Sequence, residues 1–163
     1  MSTHEPIRAG ILGLGRSGWG IHAKAIQKLP DTFAVAAVYD PIEARRQQVA
    51  EDLGCTAHDS VESLLADESI ELVVVASPNP YHADMAVQAL EAGKHVLCEK
   101  PFGLETADVD RMLEAARREG KVLQPFQQRR HEPDFQKVKE ICESGVLGDI
   151  HFIRIAWHNF KRR

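Results

Sequence analysis

No run of apolar residues in this sequence approaches the ~18 needed for a membrane-crossing helix, and its N-terminus has no apolar signal-peptide core. A bilayer span and a secretory leader are both unexpected, and a cytoplasmic protein is the reading that remains. Cysteine is scarce. Cys55, Cys98 and Cys142 are odd in number, far apart and match neither a zinc nor a C-x-x-C spacing, so reduced thiols are expected. The eight histidines contain no H-E-x-x-H pair, and no metal is expected. Positive charge is not in excess: the formal net charge is −4, which gives no electrostatic basis for nucleic-acid binding. The closing Lys161-Arg162-Arg163 is too short to alter that. No internal repeat or low-complexity linker interrupts the 163 residues, a length that one globular domain can fill.

What is present is an alternation of short apolar runs with helical patterns. Residues 7–12 read as a buried strand that breaks at Gly13-Leu14-Gly15-Arg16-Ser17-Gly18, after which Ile21, Ala25 and Leu29 recur at helical spacing. Strand, G-x-G-x-x-G, helix is the arrangement that holds a dinucleotide pyrophosphate. Gly13 permits the tight turn, Gly15 lets the backbone approach the phosphates, and Gly18 lets the helix pack close to the strand. The turn residues Arg16 and Ser17 join them as cofactor contacts, since the N–H groups at the helix start face the anion.

A second strand, 33–39, ends at Asp40. That is where a carboxylate meets adenosine ribose hydroxyls. Its plain alternative is a helix N-cap, with Pro41 at the first helical position. Arg45 and Arg46 follow on that helix, where a solvated face is expected. A short strand at 55–57 and a capping box at Asp59-Ser60-Val61-Glu62 come next. The core of the run 70–76 does not alternate but is continuously apolar and rich in β-branched residues, as a parallel strand covered on both faces requires. Ser77-Pro78-Asn79 ends it. A helix over 81–92, a strand at 95–98 ending in Glu99-Lys100-Pro101, a helix over 105–119 and a strand at 122–126 complete the alternation. It predicts a doubly wound α/β sheet with strand order 3-2-1-4-5-6. Pro133 opens a last helix with Phe135, Val138 and Ile141 inward, and Phe152, Ile153, Ile155 and Trp157 predict a strand over 150–160. In such sheets ligands bind at the carboxyl ends of the strands, and four polar loops fall on that one rim.

Four stretches together carry a family resemblance: GLGRSGWGIH (13–22), SPNPYH (77–82), AGKHVLCEKP (92–101), and RRHEPDF followed by SGVLGDI (129–150). On them the sequence resembles the Gfo/Idh/MocA oxidoreductases. The resemblance implies a dinucleotide-binding Rossmann domain over 1–126. It also implies that 127–163 are a connecting helix and the first strand of a second, mixed α/β domain that binds substrate and forms the oligomer contact. The family's downstream Asp-x-x-x-His element has no counterpart here. Of a fragment and a naturally short protein, the fragment is expected.

The resemblance further implies a pyridine-nucleotide dehydrogenase acting on a sugar, inositol or related polyol, and a homo-oligomer for the full-length protein. It marks Lys100 as the catalytic group near the reacting oxygen, where an ammonium stabilises developing negative charge. Glu99 becomes a cofactor or orienting contact. Asn79 and His82 fall near the pyrophosphate and nicotinamide ribose with Ser77, and Arg130, before x-x-Pro, meets cofactor or substrate. Each has a plainer alternative: a surface Glu-Lys pair, a first-turn cap for His82, and a pairing of Arg130 with Glu132 or Asp134. The Lys100–Pro101 bond can be cis at such a turn. Asp40 would repel a 2′-phosphate, which favours NAD over NADP. A non-catalytic dinucleotide-binding or redox-sensing module is the alternative from another class.

Overall fold

Six strands pair side by side, all parallel, in the order β3-β2-β1-β4-β5-β6. They are β1 (Ile7–Leu12), β2 (Phe33–Tyr39), β3 (Thr56–His58), β4 (Leu72–Val75), β5 (His95–Cys98) and β6 (Leu123–Pro125). This is the computed structural model of the chain; it describes residues 5–156 and 158. The order is the one the alternation of elements predicts.

Parallel strands need crossovers, and helices supply them on both faces. On one side Leu12, Val73, Val75 and Val96 pack with Leu64 of α3 (Val61–Leu65), Ala86 and Leu90 of α4 (His82–Glu91), and Met112 of α5 (Thr106–Glu119). On the other, Ile11, Val38 and Val74 pack with Val49 and Ala50 of α2 (Glu43–Leu53) and with Ala23. Successive residues of β1 and β4 thus enter opposite cores. That two-sided burial is why the sequence of β4 does not alternate. Ile11, Leu12, Val73 and Val75 are fully buried, each contributing about 1.5–3 kcal/mol over exposure.

The first helix departs from expectation. Gly18–Ala23 is a π-helix, running into a single α turn, α1 (Lys24–Ile26). The His22 N–H bonds the Ser17 carbonyl five residues back, at 2.9 Å. The wider turn shifts the buried stripe: Gly18, His22 and Ala23 point inward, whereas Ile21 and Leu29 of the predicted face are exposed. Helix α2 begins two residues late. Asp40 Oδ1 accepts the Ile42 N–H at 2.9 Å, holding Ile42 extended as the cap, so Asp40 is no N-cap and Pro41 lies outside the helix. The capping box of α3 falls one residue later than read. Ser60 and Ser63 are its members, not Asp59 and Glu62.

The chain divides into two compact units, Met1–Phe126 and Gln127–Arg163. The second contains a 3₁₀ turn at Gln128–His131 and α6 (Pro133–Glu143). Phe135, Val138 and Ile141 of α6 are exposed rather than inward. Residues 150–156 form no strand, and Phe152 and Ile155 are exposed. Strand hydrogen bonds need a neighbouring strand, and among the described residues this second unit has none. Trp157 and Phe160 of the expected strand lie outside the described residues.

Candidate functional site

Strand register brings the rim loops together. Leu12 lies opposite Tyr39 on one side and Val75 on the other, and Val75 lies opposite Cys98. The next residues of these strands, Gly13, Asp40, Ala76-Ser77 and Glu99-Lys100, therefore emerge along one carboxyl edge. Backbone bonds tie the loops down: the Gly13 N–H donates to the Tyr39 carbonyl at 2.8 Å, and Ala76 to Leu12 at 2.8 Å.

A cavity of about 510 Å³ opens on this edge, lined by Gly13, Gly15, Arg16, Ser17, Asp40 and Ser77, with Arg45 at the β2 side. Gly13 has φ of +94°, a conformation L side chains rarely adopt, and a Cβ there would lie 2.7 Å from the Ala76 carbonyl oxygen. At Gly18 a Cβ would lie 1.8 Å from the Gly13 carbonyl oxygen, so only glycine lets the π-helix start this close to the strand. At Gly15 a Cβ would meet nothing within 4 Å; it would project into open space at the cavity wall. Ser77 Oγ is buried with no hydrogen-bond partner among the described residues. An orphaned hydroxyl, an uncluttered glycine backbone and a helix start on one cavity fit a dinucleotide pyrophosphate and its ribose.

Asp40 is 2% exposed, and both its oxygens are engaged. Oδ2 accepts the Leu14 N–H at 2.9 Å, inside the glycine turn, and the Arg45 guanidinium at 3.1 Å; Oδ1 accepts the Ile42 N–H. Asp40 thus clasps the glycine turn to the start of α2. Arg45 is no solvated bystander: it pairs with this carboxylate at the cavity edge.

Across the rim, Lys100 is exposed and joined to Pro101 by a cis peptide bond. Beneath it Glu99 is buried and faces inward. Glu99 Oε1 lies 3.1 Å from His22 Nε2, and Oε2 accepts the Lys100 N–H at 3.1 Å. The His22 ring stacks obliquely on Phe126, centroids 4.4 Å apart. Burial, the largest influence, lowers the His22 pKa from 6.5 against the opposing pull of Glu99. His82 is buried too. Its Nδ1 faces the Pro101 carbonyl and its Nε2 the Ser77 carbonyl, each at 2.8 Å, so the ring bridges the two loops instead of entering the cavity. Beside Glu99, Cys98 is buried and its thiol is pushed up to about 12, which leaves it a core residue.

Gly13, Gly15, Arg16, Ser17, Asp40 and Ser77 of the expected site thus share one cavity, with Gly18 directly behind. Asn79 is exposed at the head of a 3₁₀ turn, Asn79–Tyr81. Arg130 lies in the second unit, where the Glu132 carboxylate is taken by Arg129 and the Arg130 carbonyl accepts from Gln136. The pairing of His22 with Glu99 had no local signal, because 77 residues separate them. Among the described residues no group of three His, Cys, Asp or Glu side chains could hold a metal ion, and no helix is long and apolar enough to cross a membrane.

Comparison with known proteins places this geometry in context. The family model for oxidoreductases with an NAD-binding Rossmann fold (Gfo/Idh/MocA) matches residues 7–127. Myo-inositol 2-dehydrogenase of Thermotoga maritima is 36% identical over 151 residues, which are 92% of this chain and 45% of that protein. The WlbA dehydrogenase of Bordetella pertussis, solved with NADH and UDP-GlcNAcA, superposes with a TM-score of 0.85 at 29% identity over 91% of this chain and 42% of that one. KijD10, a 3-ketoreductase from Actinomadura kijaniata solved as a lysine-to-alanine variant with TDP-benzene and NADP, gives 0.82 at 30% identity over 89% and 46%. The chain spans less than half the length of each of these relatives.

Proposed function

This chain belongs to the Gfo/Idh/MocA family of NAD-binding oxidoreductases, and from that premise we propose that it is the cofactor-binding half of an NAD(P)-dependent dehydrogenase acting on a sugar, inositol or related polyol. The observation that carries the reading is the cavity at the strand ends: glycine turn, orphaned Ser77 hydroxyl and the Lys100 turn on one rim.

A bound nicotinamide supplies the hydride acceptor or donor. The protein's own work is placement and proton handling. The N–H groups of the glycine turn hold the pyrophosphate. Ser77 Oγ satisfies its missing bond on the cofactor. Lys100, exposed on the neighbouring loop, hydrogen-bonds the substrate oxygen and carries the proton exchanged as alcohol and carbonyl interconvert. Asn79 and Arg130 add contacts to cofactor or substrate, Gln127–Arg163 lead into a substrate domain, and the whole protein works as a homo-oligomer in the cytoplasm. NAD is the preferred cofactor. The Asp40 carboxylate beside Arg45 already takes part of its charge and would oppose a 2′-phosphate placed there. The inositol dehydrogenase relative supports the substrate class.

Fluorescence titration with NADH and NADPH tests the site, with saturable binding and tighter NADH expected. Absence of binding overturns the reading, and tighter NADPH overturns the cofactor preference. In a protein joining this chain to a substrate domain, Lys100→Met is expected to lower turnover roughly a hundredfold or more while NADH still binds; near-normal turnover removes Lys100 from the chemistry.

A further inference from the structure

We propose that His22 is a positioning residue which, through Glu99, couples the pyrophosphate end of the cavity to the placement of Lys100. This rests on the dinucleotide reading above. The contacts form an unbroken series. Ser17 lines the cavity, and its carbonyl accepts the His22 N–H at 2.9 Å through the π-type turn. His22 Nε2 meets Glu99 Oε1 at 3.1 Å, and Glu99 Oε2 holds the Lys100 N–H at 3.1 Å. Both side chains are nearly inaccessible, at 4% and 6% exposure. Glu99 therefore has no side-chain freedom left with which to reach the cofactor; its two oxygens face the first helix and the Lys100 backbone.

The π-turn is part of the device. It sets His22 among the buried residues and leaves its neighbour Ile21 exposed. Single π-turns inside helices occur frequently at functional sites. A buried polar pair is not needed for stability alone, because well-packed apolar residues of similar volume serve as well or better. What a hydrogen-bonded pair adds is direction. The Lys100 N–H is held at a fixed angle, and any displacement of the Ser17 turn is transmitted through bonds that tolerate little stretch.

ADP, which fills the pyrophosphate corner and lacks both the nicotinamide and its ribose, separates the two ends. Titrated into the ¹⁵N-labelled chain, it is expected to shift the Lys100 amide resonance although it has no group to place at the nicotinamide end. In His22→Leu the Lys100 shift falls by at least half at saturation, while His22→Gln, which keeps a donor near the position of Nε2, restores it. Glu99→Leu, of similar volume and with neither acceptor oxygen, breaks both links and gives the same loss if His22→Leu fails to fold. An undiminished Lys100 response in His22→Leu or Glu99→Leu overturns the coupling. Loss in His22→Leu without rescue by His22→Gln overturns it as well, because ring shape and not the hydrogen bond would then be at work. A chain that binds neither ADP nor NADH overturns the dinucleotide reading, and this inference with it.

Discussion

Two glycines of one motif have opposite physical burdens. At Gly18 an added methyl runs into the Gly13 backbone, with the Ile11 side chain close beside it, so Gly18→Ala is expected to cost about 3 kcal/mol in chemical unfolding. At Gly15 the methyl has room, so Gly15→Ala should unfold like the parent. It should nevertheless weaken NADH on the order of tenfold, about 1.4 kcal/mol, by standing where the phosphates approach. Equal effects of the two substitutions on both readouts would contradict this division. Ser77→Ala removes a hydroxyl with no partner among the described residues, so stability should hardly change. NADH affinity should fall about threefold to tenfold, one hydrogen bond's worth, in the same titration. The motif names these glycines; which neighbour each one clears could be learned only from the fold, because Ala76 and Gly13 come within reach only once β1 and β4 are paired.

At the scale of elements, strands are set by composition and helices by details of hydrogen bonding. The bounds of β1, β2 and β5 are those the apolar runs predict, because a strand buried on both faces leaves a continuous apolar signature. The first helix differs in phase from its apolar spacing, since 3.6-residue periodicity does not anticipate a π-turn. That turn buries His22 beside Glu99, with a consequence for pH. The folded His22 pKa is lowered below the 6.5 of the free ring. The unfolded chain therefore takes up the proton first as pH falls. Stability from this residue is fully present above about pH 6.5 and is lost progressively as pH drops toward the folded pKa. Thermal melts between pH 8 and 5 should show a decline that is smaller in His22→Gln, which has no proton to gain. A decline of the same size in both proteins would remove His22 as its source. His22→Leu should cost about 2 kcal/mol at neutral pH, by leaving a buried Glu99 oxygen short of a partner.

For the whole molecule, both buried clusters lie within Met1–Phe126. Shortened to residues 1–126, the protein should still unfold cooperatively by circular dichroism and bind NADH. Loss of the cooperative transition would show that the second unit contributes to the core. Ligand linkage gives a further measure: NADH at a hundred times its Kd should stabilise the folded state by about 2.7 kcal/mol, read as a rise in melting temperature of several degrees. No rise at that ratio would mean that the folded state does not hold the cofactor.

The sequence by itself determined the sheet, its order and the glycine turn, because each depends on local signals: apolar runs, helical spacing and glycine at fixed offsets. It also determined the family, from motifs legible in one dimension. Only tertiary structure decided what the polar residues do. Asp40 clasps the Leu14 N–H and pairs with Arg45, His82 bridges Ser77 to Pro101, and Glu99 turns inward to His22. The physical reason is that a polar side chain acts through whichever partner lies within about 3 Å, a short reach set by hydrogen-bond geometry. For Asp40, His82 and Glu99 one partner each, Leu14, Pro101 and His22, comes from a distant part of the chain, brought close by parallel strand pairing.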